Sequence, residues 1–217
     1  MDMGDRAGQP AAEQVGEHLR ARVLAGELVP GTALGEVEIA AEYEVSRATA
    51  KSAIESLVAS RLLSRRVHRS ARVTRLSPTD VEDIYRTREL IESEAVRRLA
   101  QLRLAPADAR GANAEIAAMG EASPLELVEP DVRFHSALVD ALASERTSVI
   151  YRGLSDEIRL CMVQVQGAAL LAEGTIVREH ELLLDYIETG DEPAAVALLQ
   201  EHISRSRRRL ATRLRGG

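Results

Sequence analysis

Between residues 11 and 60, apolar side chains recur at the three- and four-residue spacing of amphipathic helices. Val15, Leu19, Val23 and Leu24 form one face of a helix over about 11–25, and the stretch around Gly26, Pro30 and Gly31 closes it. Val37, Ile39, Ala40 and Ala41 predict a short helix over about 36–43. After a turn at Glu44-Val45, Ser46 stands as the N-cap of a third helix over about 47–60. The pattern then changes: Leu62-Leu63-Ser64-Arg65-Arg66-Val67 and Ala71-Arg72-Val73-Thr74-Arg75 read as two short strands around His68-Arg69-Ser70. Three helices followed by a β-hairpin is the order of a winged helix-turn-helix, in which the third helix is free to enter a major groove.

Beyond Pro78 the helical period runs almost without interruption. It predicts helices near 78–101, 106–120, 124–143, 145–167, 173–189 and 191–214, separated by Pro, Ser and Gly breaks. Six helices with short connections make an antiparallel bundle. The expected fold class is therefore mainly α: residues 1–10 a disordered start, 11–76 a winged helix-turn-helix and 77–217 a helical bundle.

Composition fits that division. A length of 217 residues suits two domains. With no Trp and a single Phe134, the cores must be built from Leu, Val, Ile and Ala, which favours helices. No run of about 18 apolar residues exists, and the first nine residues are polar, which predicts a cytoplasmic protein with no membrane partner. The lone Cys161 excludes an internal disulfide or a thiolate zinc cluster and, between Leu160 and Met162, reads as a buried thiol.

The net charge of −6 disfavours nucleic-acid binding only if it is spread evenly, and it is not. Residues 47–75 hold eight basic side chains against the lone acid Glu55, whereas residues 78–217 hold 17 basic and 24 acidic ones. A basic module joined to an acidic body fits a double-stranded DNA reader with a separate regulatory domain. On the third helix Arg47 and Lys51 lie one turn apart. Arg can grip guanine bidentately and Lys can reach base or phosphate, while Ser46 and Thr49 offer hydroxyls at the helix N-terminus. In the bundle, Asp131 and His135 are four apart on one helix, and His180 and His202 fall on the last two helices. If packing brings the four together they make a site for a divalent transition metal; taken alone, three histidines so spaced also suit a core or a surface.

Residues 19–75 resemble the DNA-binding domain of the GntR family. The pattern Ile-x-x-Gly-x-Leu-x-Pro-Gly-x-x-Leu is matched by residues 23–34, and Val-Ser-Arg-Thr-Pro-Val-Arg-Glu-Ala-Leu is answered by residues 45–54. The resemblance implies DNA contacts at Arg47, Thr49 and Lys51, with Ser46 beside them and His68 and Arg69 at the wing tip. Val37 stands where many relatives have an arginine, and the wing tip lacks the usual pair of glycines. Residues 80–205 resemble the FCD ligand-binding domain of the FadR subgroup, through residues 86–92, Asp131-Val132-Arg133-Phe134-His135, Glu179-His180 and Glu201-His202. That implies a metal, zinc or nickel, on Asp131, His135, His180 and His202, and a small carboxylate effector beside it. Arg88 matches an arginine of the first bundle helix; it pairs either with that carboxylate or with Glu92 on its own helix. Asn113, Arg133, Gln164 and Gln166 are further candidates for the pocket.

The function expected from these features is that of a ligand-responsive repressor, not an enzyme, which binds a palindromic operator as a homodimer through the first domain. The second domain then serves effector binding, metal binding and dimerisation. Two alternatives are a metal-dependent hydrolase and a DNA-binding protein whose metal is purely structural.

Overall fold

The computed structural model describes residues 10–66, 69–120, 122–165 and 172–216. It divides into two compact units, 1–75 and 76–217. The expected disordered start lies, apart from Pro10, outside the described residues, as do His68 and Gln166.

In the first unit, α1 (Ala11–Leu24), α2 (Glu36–Glu42) and α3 (Arg47–Ala59) follow the predicted pattern. Val15, Leu19 and Val23 of α1 are buried with Ala50, Ala53, Ile54 and Leu57 of α3, and Ile39 and Ala40 of α2 close the core. Those α3 positions face inward, so Arg47 and Lys51 face solvent. Two strands were expected, and among the described residues three are present. β1 (Ala33–Leu34), β2 (Leu63–Ser64) and β3 (Ala71–Val73) form an antiparallel sheet in the order β1-β3-β2. Ala33 pairs with Arg72 and Leu63 with Val73. Two residues are too few to show a period of two, which is why β1 is invisible in the sequence. Buried Leu34, Leu63, Ala71 and Val73 seat the sheet on the helices.

The second unit contains α4 (Pro78–Leu102), α5 (Ala107–Met119), α6 (Val128–Asp140), α7 (Glu145–Gln164), α8 (Glu173–Thr189) and α9 (Glu192–Arg215). Helix α4 opens on a capping box: the Ser77 hydroxyl accepts from the Asp80 N–H, the Asp80 carboxylate accepts from the Ser77 N–H, and Pro78 takes the first helical position. It packs along α9 and also meets α6, α7 and α8, so it is the element around which the bundle is arranged. Helix α6 begins four residues later than its sequence pattern suggests. Leu127 is buried with Ile116 and Ile176, and Ser123 and Glu126 hydrogen-bond to each other, so residues 124–127 turn before the helix starts. Pro130 then falls in the first turn, where its missing N–H costs nothing.

Candidate metal centre

The buried stripe of α4 reads Val81, Ile84, Tyr85, Arg88, Glu92, Ser93, Ala95, Val96 and Leu99. A guanidinium and a carboxylate thus sit where an amphipathic helix would place leucines. Both are fully buried, and Arg88 Nε donates to Glu92 Oε1 at 2.6 Å. The pairing of Arg88 with Glu92 on its own helix is therefore present, and it uses only one edge of the guanidinium. Glu92 Oε1 also accepts from the Tyr151 hydroxyl of α7, and Glu92 Oε2 faces His135 Nδ1 of α6 at 2.6 Å. Burial opposes ionisation of Glu92, but Arg88 and His135 outweigh it and hold the carboxyl down to about 2.

Asp131 and His135 share the inner face of α6, and α8 and α9 bring His180 and His202 against it. The ligand atoms of these four buried residues lie within 4.8 Å of one another. The three imidazoles are almost evenly spaced, with centroids 5.2–5.3 Å apart. Asp131 Oδ1 is 3.6 Å from His180 Nε2 and 4.0 Å from His135 Nε2. Among the described residues this is the one group of three or more His, Cys, Asp or Glu that converges in this way.

Each Nδ1 is committed outward. His135 meets Glu92, and His202 Nδ1 lies 2.8 Å from Glu179 Oε2, which also accepts from Arg205. His180 Nδ1 is 3.1 Å from Asn113 Oδ1, an amide held in that orientation because its Nδ2 donates to the Val177 carbonyl. Carboxylate and amide oxygens only accept, so in all three rings Nδ1 carries a proton and the neutral ring has its lone pair on Nε2. His135 Nε2 and His180 Nε2 are buried without a hydrogen-bond partner. Burial, and next the repulsion that a protonated His180 would meet from any protonated His135 or His202 and from Arg88, push His180 well below the ordinary histidine range; burial and Arg88 lower His135. Phe134 stacks flat on His180 at 3.6 Å. Neutral rings with inward lone pairs beside a carboxylate are the donor set that zinc and related ions take, and the outward acceptors are the partners that metal-bound histidines ordinarily have. The residues fit such an ion.

The other sequence-predicted residues separate. Asn113 supports His180 rather than lining a pocket, and Gln164 accepts from the Leu76 N–H. Arg133 points outward to Glu115. In the first unit, the Ser46 hydroxyl accepts from the Thr49 N–H at 3.0 Å and so caps α3, with Thr49 Oγ1 2.8 Å away. Arg47 and Arg69 are exposed, and Lys51 pairs with Glu55 at 3.7 Å across the surface. Glu92, Tyr151 and Glu179 escape sequence reasoning as supports for the histidines. The usable signal was two charges inside the apolar stripe of α4.

Comparison with known proteins gives a consistent result. The FCD domain model matches residues 83–205, and the model of bacterial regulatory proteins of the gntR family matches residues 11–73. The uncharacterized HTH-type transcriptional regulator BphR of Paraburkholderia xenovorans is 29% identical over 203 residues, covering 88% of this chain and 81% of its own. The gluconate operon transcriptional repressor of Bacillus subtilis is 25% identical over 87% of this chain and 80% of its own. A solved structure described as a transcriptional regulator GntR from Rhodococcus shares the fold, with a TM-score of 0.73 over 92% of this chain and 96% of its own, at 24% identity.

Replacing Glu92 by Gln leaves a buried guanidinium without its counter-charge. Urea denaturation of the chelator-treated chain at pH 7 is expected to show a loss of about 3–5 kcal/mol. A loss under about 1 kcal/mol, the size of an exposed pair, contradicts the role given to this carboxylate.

Proposed function

We propose that this chain, a transcriptional regulator that belongs to the GntR family of bacterial regulatory proteins and carries an FCD domain, binds a palindromic operator as a homodimer. In this reading, it answers to a small carboxylate at a divalent metal. The observation that carries the proposal is the convergence of Asp131, His135, His180 and His202, with every Nδ1 bonded away from the centre. Three imidazoles and one carboxylate suit zinc or nickel. Bound there, such an ion would supply positive charge and coordination positions left open for oxygen donors. Arg88, buried beside the cluster with one edge of its guanidinium unused, supplies a second grip on a carboxylate.

The DNA side rests on α3 and the wing. The Ser46 cap takes the Thr49 N–H and fixes the start of α3, so that Arg47 and Lys51 project from its first turns and the earlier N–H groups of Arg47 and Ala48 can meet a phosphate. Thr49 adds a hydroxyl, and Arg69 of the wing adds charge. His68, whose place at the wing tip lies outside the described residues, belongs to the same surface in this reading. The repressor activity named for the gluconate operon relative favours repression here. Ligand and operator are linked if the acid binds one arrangement of the dimer better than the other; the effector then shifts the population that can hold DNA.

Two measurements test this reading. On operator DNA selected from random sequence by the wild-type chain, Arg47→Ala is expected to lose about 1–3 kcal/mol of specific affinity at matched salt. Unchanged affinity contradicts the placement of α3 in the groove. His180→Ala is expected to lose bound metal and the response to organic acids while keeping a cooperative melt and operator binding. Full metal occupancy in that variant contradicts the shared site, and an intact acid response without metal moves the sensor elsewhere.

A further inference from the structure

Among the described residues, four buried side-chain atoms have no hydrogen bond of ordinary geometry: His135 Nε2, His180 Nε2, Tyr85 Oη and Arg88 Nη2. An ion satisfies the two histidine nitrogens. It does nothing for the other two, because a guanidinium repels a cation and burial holds the Tyr85 hydroxyl protonated far above its ordinary range. Tyr85 and Arg88 are one turn apart on the same inner face of α4, and the guanidinium carbon is 5.4 Å from the tyrosine ring centre. Arg88 shares Glu92 with the ligand histidine His135, so the pair borders the same centre as the histidines. The guanidinium can only donate to the Tyr85 oxygen, so the tyrosine O–H proton is left buried without an acceptor, which costs free energy unless one meets it.

The charge count narrows that acceptor. Among the groups that touch the centre, Arg88 and Glu92 cancel and Glu179 is matched by Arg205. A divalent ion against the single carboxylate of Asp131 leaves one positive charge inside the bundle, and a buried charge requires a counter-charge. One negative charge restores neutrality, and two would overshoot it.

We propose that Tyr85 is a specificity-determining residue of the effector site, where its hydroxyl and Arg88 Nη2 together clamp one carboxylate of a singly charged organic acid. The inference rests on the metal-centred reading above and adds to it a second clamp residue and the charge of the ligand. The carboxylate accepts from the tyrosine O–H and the guanidinium N–H on one side and faces the metal on the other. Dicarboxylates and phosphate bring a charge that the site does not balance. Tyr85 supplies no charge and no metal ligand, so its part is confined to recognising the acid.

The test uses the zinc-loaded full-length chain, titrated calorimetrically with acetate, lactate, malonate and inorganic phosphate, in wild type and in Tyr85→Phe. Acetate and lactate are expected to bind more tightly than malonate and phosphate. Tyr85→Phe is expected to weaken lactate binding about tenfold, the loss of one hydrogen bond to a charged group. Zinc content should be unchanged, and the acid-free melting temperature should equal or exceed that of wild type, because the O–H proton removed had no acceptor. The inference is overturned if Tyr85→Phe binds lactate as tightly as wild type or if malonate or phosphate is preferred. A fall in the acid-free melting temperature also overturns it, since the hydroxyl would then be structural. Zinc-loaded wild type that binds none of the four acids overturns the clamp alone, whereas wild type that takes up no zinc overturns the metal reading and the clamp with it.

Discussion

A neutral imidazole has two nitrogens and one proton, and the acceptor offered to Nδ1 decides which nitrogen is left with a lone pair. In this bundle that choice is made three times in the same sense, by Glu92, Asn113 and Glu179. Without those acceptors, three buried histidines would share protons among themselves or turn toward solvent. With them, the Nε2 atoms meet one another and Asp131 at the centre of the bundle. The supporting groups are supported in turn: Glu92 by Arg88 and Tyr151, Asn113 by the Val177 carbonyl, and Glu179 by Arg205. The centre is thus held by a layered polar network, and networks of this kind favour one arrangement because a half-satisfied version is costly.

Helix α4 joins the two halves of that chemistry. Its buried face carries Tyr85, Arg88 and Glu92 at intervals of three and four residues, and the same helix packs against α6, α7, α8 and α9. One carboxylate, Glu92, touches both Arg88 and a ligand histidine. A group that grips the free edge of Arg88 therefore acts on the same hydrogen-bonded unit that orients His135. In the proposed reading, an anion and an ion bound side by side would depend on each other through this unit without sharing a protein ligand.

Much of this was legible in the sequence because periodicity reports what is buried. The apolar spacing of α1, α3, α4 and α8 gave their extents closely, and Asp131 with His135 announced a shared helix face. Residues too far apart in the chain for any period to relate them were less visible. That His180 and His202 join the pair on α6 depends on bundle packing, and the resemblance to FCD domains suggested it where spacing could not. Glu179 adjoins His180 in the chain yet serves His202 on another helix, and no local rule predicts that. Arg88 read equally well as the partner of a carboxylate effector or of Glu92 at i, i+4, and the full burial of the pair is not visible in the spacing. The delayed start of α6 was hidden for a related reason, since Leu127 is drawn into a contact with Ile116 and Ile176 that the chain does not record locally. In the basic C-terminal stretch, Arg205, Arg207 and Arg215 lie against Glu179, Glu89 and Glu82 on other helices, pairings that no local spacing announces.

The central claim is that the three inward Nε2 atoms and Asp131 form one metal centre. X-ray absorption at the zinc edge of the zinc-loaded full-length chain tests it most directly, because imidazole rings give an outer-shell scattering pattern that water and carboxylate do not. The account predicts a first shell of nitrogen and oxygen only, with the outer-shell signal of three imidazoles. A spectrum with no imidazole signal, or with a single ring, would mean that the histidines converge for packing and that the ion binds elsewhere.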